Sequence, residues 1–232
     1  MSARKARSKP NGGTRGRAPK KARIVVVDDH PVMREGLARV IDKTGDLTVC
    51  AQAGSVHRAL ELIETTQPDL AIVDITLGGQ NGIELIKDLK VRHPKLPVLV
   101  HSMHDEQVYA QRSLRAGARG YLMKNEPPPR LLHAIRQVLA GEIYLSEAMN
   151  RQVLHGLAGT TQGVPLVERL SDRELEVFEH LGRGRKTKEI AADLHLSVKT
   201  VQTYCEHLKE KLQLRDATSL VRFAVQWVEA QR

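Results

Sequence analysis

Acidic residues follow two separate apolar runs of the chain, and their types could support phosphoryl chemistry. Asp28 and Asp29 come directly after the run 24–27, and Asp74 comes directly after the run 70–73. Carboxylates that lie close together raise one another's proton affinity, so such a group needs a cation. Mg²⁺ binds one or two carboxylates together with water and phosphate oxygens. Asp74 could then serve as a covalent nucleophile toward phosphorus, forming an aspartyl phosphate.

Three side chains in or after later apolar runs fit the same chemistry. Ser102 closes the fourth run with a hydroxyl that can hydrogen-bond to a phosphoryl oxygen, and Lys124 closes the fifth with an ammonium that can pair with one. Tyr121 lies three residues before Lys124. Alone, each acid or base has an ordinary explanation, such as a helix cap for Asp29 or a turn for Asp74. Their joint placement at four run ends favours a phosphoryl-transfer site.

The elements that would position these residues alternate regularly from position 24 onward. Apolar runs cover 24–27, 47–51, 70–73, 98–100 and 120–123, and segments of helical periodicity cover 32–43, 56–66, 82–91, 105–116 and 129–140. Five such units predict an α/β fold, a doubly wound five-stranded parallel sheet covered by helices on both faces. In the strand order 2-1-3-4-5 the first and third strands are neighbours, so Asp28, Asp29 and Asp74 would converge.

A second, small all-α domain is predicted after a break at Gly141. Four helices fit at 172–182, 187–194, 198–213 and 217–230, and one further helix could cover 146–157. Ser171 and Glu174 form a capping box, and the expected N-caps of the later helices are Thr187, Ser197 and Asp216. We therefore predict a basic tail at 1–22, an α/β domain at 23–141, a linker at 142–167 and a four-helix domain at 168–232.

Segment 198–213 has one apolar stripe, and its opposite face combines hydrogen-bonding and basic side chains. The stripe consists of Val198, Val201, Cys205, Leu208 and Leu212. That face carries Lys199, Thr200, Gln202, Thr203, Glu206 and Lys209. Such side chains suit a helix in the major groove of DNA, although a solvated helix face would have the same composition. The short helix and turn that precede the segment give the helix-turn-helix arrangement, which favours DNA binding.

Charge and composition exclude several classes of protein. The 232 residues carry 36 Lys+Arg and 27 Asp+Glu, a net charge of +9 that lies entirely within positions 1–23. We expect this tail to be disordered, either as a solvated extension, as a nonspecific nucleic-acid arm or, less simply, as an Arg-rich transit peptide. Cys50 and Cys205 form no disulfide framework or zinc motif. No apolar run is long enough to span a membrane, so a cytoplasmic protein is expected.

Segment 24–141 resembles the receiver domain of two-component response regulators, through VVVDDHPVMREGL, IVDITLGGQNGIELI, VLVHSMHDE and AGARGYLMK. The resemblance implies that Asp74 is the phosphoacceptor. It implies that the Mg²⁺ ligands are Asp28, Asp29, Asp74 and the backbone of Thr76. The implied switch residues are Ser102, Tyr121 and Lys124. Our mechanistic hypothesis is that, after phosphorylation, Ser102 moves toward the phosphoryl oxygens and Tyr121 then rotates into the space left behind. Gly78 stands where many receivers have Pro, which predicts a more flexible loop.

Segment 170–227 resembles the LuxR/NarL-type helix-turn-helix, through LSDRELEVFEHLGRGRKTKEIAADLHLSVKTVQTYCEHLKEKLQL. The resemblance makes 198–213 the recognition helix. The expected DNA contacts are Lys186, Lys188, Lys199, Thr200, Gln202, Thr203 and Lys209. Glu206 stands where some relatives have a basic residue.

Together the two resemblances imply a phosphorylation-dependent, DNA-binding transcriptional response regulator and not an enzyme. Its expected partners are a sensor histidine kinase, Mg²⁺ and promoter DNA, and we expect a homodimer when it is phosphorylated, without membrane association. A protein-interaction adaptor remains a rival, with Glu206 as its support. An enzyme that drains phosphate remains a second rival, although no further catalytic motif supports it.

Overall fold

The N-terminal part of the protein is built on a parallel sheet. The computed structural model describes residues 21–151 and 166–230, without the side chain of Glu168. Its strands are β1 (Ala22–Val27), β2 (Leu47–Ala53), β3 (Leu70–Val73), β4 (Thr76–Leu77), β5 (Gln80–Asn81), β6 (Val98–Ser102) and β7 (Gly120–Met123). Five of them form one parallel sheet in the order β2-β1-β3-β6-β7. This confirms the predicted order of the five principal strands.

Five helices cover the two faces of this sheet, which confirms the doubly wound architecture. They are α1 (Pro31–Asp42), α2 (Val56–Thr66), α3 (Gly82–Arg92), α4 (Glu106–Ala116) and α5 (Pro128–Leu139). Alternate residues of each central strand enter different cores: Val25 packs with residues of α2, α3 and α4, whereas Ile24 packs with residues of α1 and α5. Because both faces are buried, the strands are apolar throughout.

A two-stranded hairpin, β4–β5, follows β3 directly and was not predicted. Its turn consists of Gly78 and Gly79, with φ of +55° and +84°. Both angles lie in the left-handed region that glycine adopts without strain, and they match the turn that joins two-residue hairpins. The loop after Asp74 is therefore a defined hairpin turn. Gly82 follows it so closely that a Cβ at this position would collide with the carbonyl of Asp74.

The C-terminal part is helical, as predicted. After a 3₁₀ turn at Leu166–Arg169 come α6 (Asp172–Gly182), α7 (Thr187–Asp193), α8 (Val198–Lys211) and α9 (Ala217–Glu229). The capping box of Ser171 and Glu174 is present, and Ser197 and Asp216 are N-caps. The expected N-cap Thr187 is wrong.

The N-cap of α7 lies one residue earlier than predicted, so the helix begins at Thr187 itself. Lys186 is the N-cap, and its backbone N–H donates to the Glu189 carboxylate at 2.9 Å, which makes Thr187 the first helical residue. The helix expected at 146–157 is present at 147–151, and its remainder lies outside the described residues, as do positions 1–20 of the tail. Within the described ranges, no helix has the length and apolar character needed to cross a membrane.

Candidate functional site

The predicted carboxylates converge at the carboxyl edge of the sheet. Asp28 follows β1 and Asp74 follows β3, and these neighbouring strands are in register up to their last residues. One potential ligand atom from each of Asp28, Asp29, His30 and Asp74 lies within 4.8 Å of the others. Asp28 is 1% and Asp74 4% exposed. The fold therefore brings three separately predicted carboxylates into one largely buried group.

His30 was not singled out from the sequence, although it directly follows the acidic pair. Its Nδ1 lies 2.8 Å from Asp29 Oδ1 and 3.4 Å from Asp28 Oδ1. Its side chain is 69% exposed, so it lies at the rim of the acidic group. Its backbone N–H donates to Asp28 Oδ1 at 2.8 Å, which helps to fix that carboxylate.

Lys124 bridges two of the carboxylates. Its Nζ lies 2.6 Å from both Asp28 Oδ2 and Asp74 Oδ2, and the Lys124 side chain is 4% exposed. Burial alone would lower the pKa of Lys124, but the charge of Asp74 and the hydrogen bonds to Asp28 and Asp74 outweigh burial and raise the pKa. The ammonium therefore stays charged, and it neutralises part of the acidic group.

The remaining oxygens of the acidic group fit a hard divalent cation. Asp74 Oδ1 is buried and has no hydrogen-bond partner within the described part of the chain. Asp29 Oδ2 accepts from the backbone N–H of Gly78 at 3.0 Å. This bond fixes the carboxylate beside the β4–β5 hairpin after Asp74, called the acceptor hairpin below. Carboxylate oxygens are the ligands that Mg²⁺ prefers. Asp28, Asp29 and Asp74 could therefore hold this ion. Thr76, whose backbone is the fourth expected ligand, lies two residues after Asp74 at the start of β4.

Ser102 and Tyr121 meet at one residue, His104. Ser102 is fully buried, and its Oγ accepts from the His104 N–H at 3.4 Å. Tyr121 is also fully buried, and its hydroxyl donates to the His104 carbonyl at 2.8 Å. The sequence led us to expect that Tyr121 turns inward only after Ser102 moves. In the structure Tyr121 is already inside, because the carbonyl of His104 accepts its hydroxyl.

The proposed recognition helix α8 presents polar side chains to solvent. Val201 and Leu208 are buried on its inner side, whereas Val198, predicted to belong to the same stripe, is 38% exposed. Lys199, Gln202 and Thr203 are exposed. Their exposure makes them accessible to DNA, and the Thr203 hydroxyl also donates to the Lys199 carbonyl at 3.1 Å.

The other expected DNA contacts differ in exposure. Lys186 and Lys188 are exposed at the start of α7. Thr200 is half-buried and hydrogen-bonded to the cap Ser197, with 2.8 Å between their hydroxyl oxygens. Lys209 is paired with Glu206 at 2.7 Å. Thr200 and Lys209 thus have structural partners within α8 and its cap.

The helical domain packs on the receiver-like domain through α6, which the sequence did not predict. Asn81 Nδ2 donates to Glu176 Oε1 at 2.8 Å. Lys87 lies 3.1 Å and Arg112 3.2 Å from the Asp172 carboxylate. Glu176 is 5% exposed, so the contact buries charge.

Glycine at position 79 permits the closest part of this contact. Arg173 donates to the Gly79 carbonyl. The ring of His195 lies so near that a Cβ at position 79 would collide with it. The hairpin that follows the acceptor carboxylate therefore touches the helical domain directly.

Two family models match the two domains. Residues 24–136 match the response regulator receiver domain, and residues 168–224 match the bacterial regulatory proteins of the luxR family. The chain is 37% identical over 204 residues to the transcriptional activator protein ExaE of Pseudomonas putida, a match that covers 88% of this chain and 95% of ExaE. It is 32% identical over 212 residues to the nitrate/nitrite response regulator protein NarL of Escherichia coli (strain K12), covering 91% and 96%.

Solved structures show the same folds. A LuxR-family two-component response regulator from Aurantimonas sp. SI85-9A1 is 33% identical with a TM-score of 0.56, over 60% of this chain and 99% of that one. RcsB from Salmonella enterica serovar Typhimurium is 22% identical with a TM-score of 0.61, over 89% and 99%, and shares the fold. The chain belongs to the LuxR/NarL-type two-component response regulators, transcriptional regulators with a receiver domain and a C-terminal DNA-binding helix-turn-helix domain.

Proposed function

We propose that this response regulator accepts a phosphoryl group on Asp74 from a sensor histidine kinase and that the modification controls its binding to promoter DNA. One observation carries the proposal. Asp74 has one oxygen 2.6 Å from Lys124 Nζ and a second, buried oxygen without a hydrogen-bond partner among the described residues. The first oxygen is charge-compensated by Lys124 and the second has no hydrogen bond to a described residue, so the carboxylate can offer an oxygen to the ion and an oxygen to phosphorus.

The neighbouring carboxylates would hold the divalent ion. Asp28 and Asp29 would bind Mg²⁺ together with Asp74 and the backbone of Thr76. The ion, when bound, would neutralise charge on the incoming phosphoryl group. Asp29 also accepts a hydrogen bond from Gly78, so one of the proposed metal ligands is bonded directly to the acceptor hairpin.

Phosphoryl transfer changes which groups Lys124 and Ser102 can bind. An Asp74 oxygen forms a bond to phosphorus as the bond from phosphorus to the kinase histidine breaks, and the leaving imidazole takes up a proton. Lys124, now shared by Asp28 and Asp74, can pair with a phosphoryl oxygen in place of the acceptor carboxylate. Ser102 can donate its hydroxyl to a second phosphoryl oxygen when it leaves the His104 N–H.

The C-terminal domain would read DNA through α8. Lysines near the start of α7 and side chains on the exposed face of α8 supply phosphate and base contacts. The proposed contacts are Lys186, Lys188, Lys199, Thr200, Gln202, Thr203 and Lys209. A homodimer of the phosphorylated protein on two half-sites would double these contacts.

The proposed organisation keeps the tail at 1–22, the receiver at 23–141, the linker at 142–167 and the DNA-binding domain at 168–232. The rival function of a protein-interaction adaptor rested on Glu206. In the structure that acid pairs with Lys209 at 2.7 Å, a local partner that weakens its support for an adaptor.

The test compares DNA binding of the full chain in two phosphorylation states. DNA fragments are selected from a genomic pool by the wild type in the presence of Mg²⁺ and acetyl phosphate, and their affinities are then measured with and without acetyl phosphate. We expect tighter binding with the phosphodonor and no such change for Asp74→Asn. Equal affinities of the wild type in both conditions, or an Asp74→Asn variant that responds like the wild type, would contradict the proposal.

A further inference from the structure

His104 connects three residues of the phosphoacceptor site. Its N–H donates to Ser102 Oγ at 3.4 Å, and its carbonyl accepts from the Tyr121 hydroxyl at 2.8 Å. Its ring Nε2 lies 2.9 Å from Thr76 Oγ1. Ser102, Tyr121 and Thr76 come from three different strands of the chain. A displacement of His104 would therefore change the hydrogen bonds of all three residues.

A carboxylate of the other domain contacts the same histidine. Glu179, on α6, places its Oε2 3.4 Å from His104 Nδ1, and the two side chains are 7% and 14% exposed. The ring of Tyr109 lies against the imidazole, with centroids 4.5 Å apart. The histidine is therefore enclosed by both domains, with an acid of the DNA-binding domain on one ring nitrogen and a hydroxyl of the acceptor hairpin on the other.

The carboxylate sets the hydrogen-bonding roles of the imidazole. An acid beside Nδ1 favours the proton on that nitrogen, which leaves Nε2 to accept from the Thr76 hydroxyl. The hydrogen bond at Nε2 and the carboxylate beside Nδ1 together restrain the orientation of the ring, and with it the backbone of His104. Glu179 itself pairs with Arg183, the C-cap residue of α6, at 3.3 Å.

We propose that Glu179, a residue of the DNA-binding domain, is a positioning residue for the phosphoryl chemistry of the receiver and acts through His104. The inference rests on the proposed function, since it requires Asp74 to accept phosphate. With α6 docked, Glu179 fixes His104, which restrains Thr76 and holds the Ser102 hydroxyl on the His104 N–H. Phosphorylation draws the Ser102 hydroxyl away from this arrangement. Docking and phosphorylation therefore oppose each other, and each weakens the other to the same extent.

The rate of labelling from ³²P-acetyl phosphate with Mg²⁺ tests this inference in the full chain. Glu179→Ala removes the carboxylate beside His104 Nδ1, so we expect labelling about fivefold faster than in the wild type, the rate change that loss of one polar contact of about 1 kcal/mol would give. Glu179→Gln keeps an acceptor oxygen and is expected to restore the rate toward that of the wild type. In a His104→Ala background, Glu179→Ala should change the rate by less than about twofold, because the connecting residue is gone.

Glu174→Gln is the matched control. Glu174 lies on the same helix and is 3% exposed, but it pairs with Lys211 at 2.7 Å and caps the helix through Ser171, all within the DNA-binding domain. We expect it to label at the wild-type rate. Trp227, the one tryptophan of the chain, packs on Phe178 of α6 with centroids 5.4 Å apart. Its emission shows whether each variant retains a folded α6.

The possible outcomes separate the two proposals. A folded Glu179→Ala variant that labels at the wild-type rate overturns the inference, as does a gain of equal size in the His104→Ala background or in Glu174→Gln. Those results leave the proposed function intact if the wild type is labelled and Asp74→Asn is not. A wild type that takes no label contradicts the proposed function, and the inference falls with it.

Discussion

At the scale of single residues, opposing charge holds the acidic edge together. Lys124, Asp28 and Asp74 are each at most 5% exposed at the side chain, and one ammonium contacts both carboxylates at 2.6 Å. Removing one partner of a buried ion pair is strongly destabilising, because the other charge is left without compensation. Two acids with one lysine leave an excess of negative charge, and this excess favours cation binding at the site.

His101 provides a pH-dependent test at the same scale. It is 4% exposed on β6, and burial followed by the charge of Lys124 lowers its pKa from 6.5 to about 4. Below pH 6.5 the His101 imidazole is protonated in the unfolded chain, whereas in the folded chain it is protonated only below about pH 4. The free energy of unfolding therefore falls as the pH drops through this window, by about 3 kcal/mol from this residue.

Replacing His101 by Gln should make this loss of stability shallower. We expect urea denaturation, followed by circular dichroism between pH 7 and pH 4, to show a smaller fall in unfolding free energy than in the wild type. The exposed residue His57 provides the control, since its side chain is 86% exposed and His57→Gln should retain the wild-type slope. A His101→Gln curve parallel to the wild-type curve would show that buried His101 is not responsible.

At the scale of elements, the sequence predicts the strands and helices that show a periodic apolar pattern, and it does not predict elements too short to show one. The five principal strands and nine of the helices carry apolar runs or a helical stripe, and these are confirmed with small shifts at their ends. Strands β4 and β5 have two residues each, too short for any alternation to show. The buried inward position of Tyr121 depends on a carbonyl seventeen residues away, which no local pattern indicates.

The contact between α6 and the receiver was also invisible in the sequence. Glu176 and Glu179 are acids, a type that is rarely buried without a partner, and they suggest a solvated helix face. Their partners Asn81 and His104 come from the other domain, far away along the chain. Polar pairs of this kind have no periodic signature, so only the packing of the two domains reveals them.

The exposed face of α8 leads to a prediction for sequence recognition. Gln202 is exposed in the middle of this face, and an amide that reads a base edge contributes about 1–3 kcal/mol of discrimination. Gln202→Ala should lower the preference for a selected DNA site over scrambled DNA, measured by fluorescence anisotropy. Lys188→Ala should weaken binding to both DNAs about equally. It should also reduce the slope of log affinity against log salt concentration by about 1.

An exposed glutamine on another helix controls for loss of an amide as such. Gln226 lies on α9 outside the proposed DNA-binding face, so Gln226→Ala should leave the preference unchanged. If Gln202→Ala binds both DNAs with the wild-type preference, α8 does not read bases through this residue.

At the scale of the whole molecule, charge is distributed unevenly. Positions 1–20 hold seven Lys and Arg and no acid, out of a net charge of +9. The described structure starts at Lys21, whose Nζ donates to the Thr44 carbonyl at 3.0 Å, and β1 starts at Ala22. Every described helix and strand therefore lies outside positions 1–20.

Deletion of positions 1–20 should weaken nonspecific DNA binding and flatten its dependence on salt. Clustered basic side chains displace counterions from DNA phosphates whatever the base sequence, so the preference for the selected site should stay the same. Affinities for scrambled DNA measured across a salt series provide the slope. A slope equal to that of the full chain would leave the tail without a role in DNA binding.

Identifying the phosphorylated residue tests the assignment of Asp74 most directly. The full chain is incubated with Mg²⁺ and acetyl phosphate, the acyl phosphate is reduced with tritiated borohydride, and the modified peptide is located by mass spectrometry. Modification at Asp74 alone is expected, with none in Asp74→Asn or without Mg²⁺. Modification at another residue, or equal labelling of Asp74→Asn, would contradict the assignment.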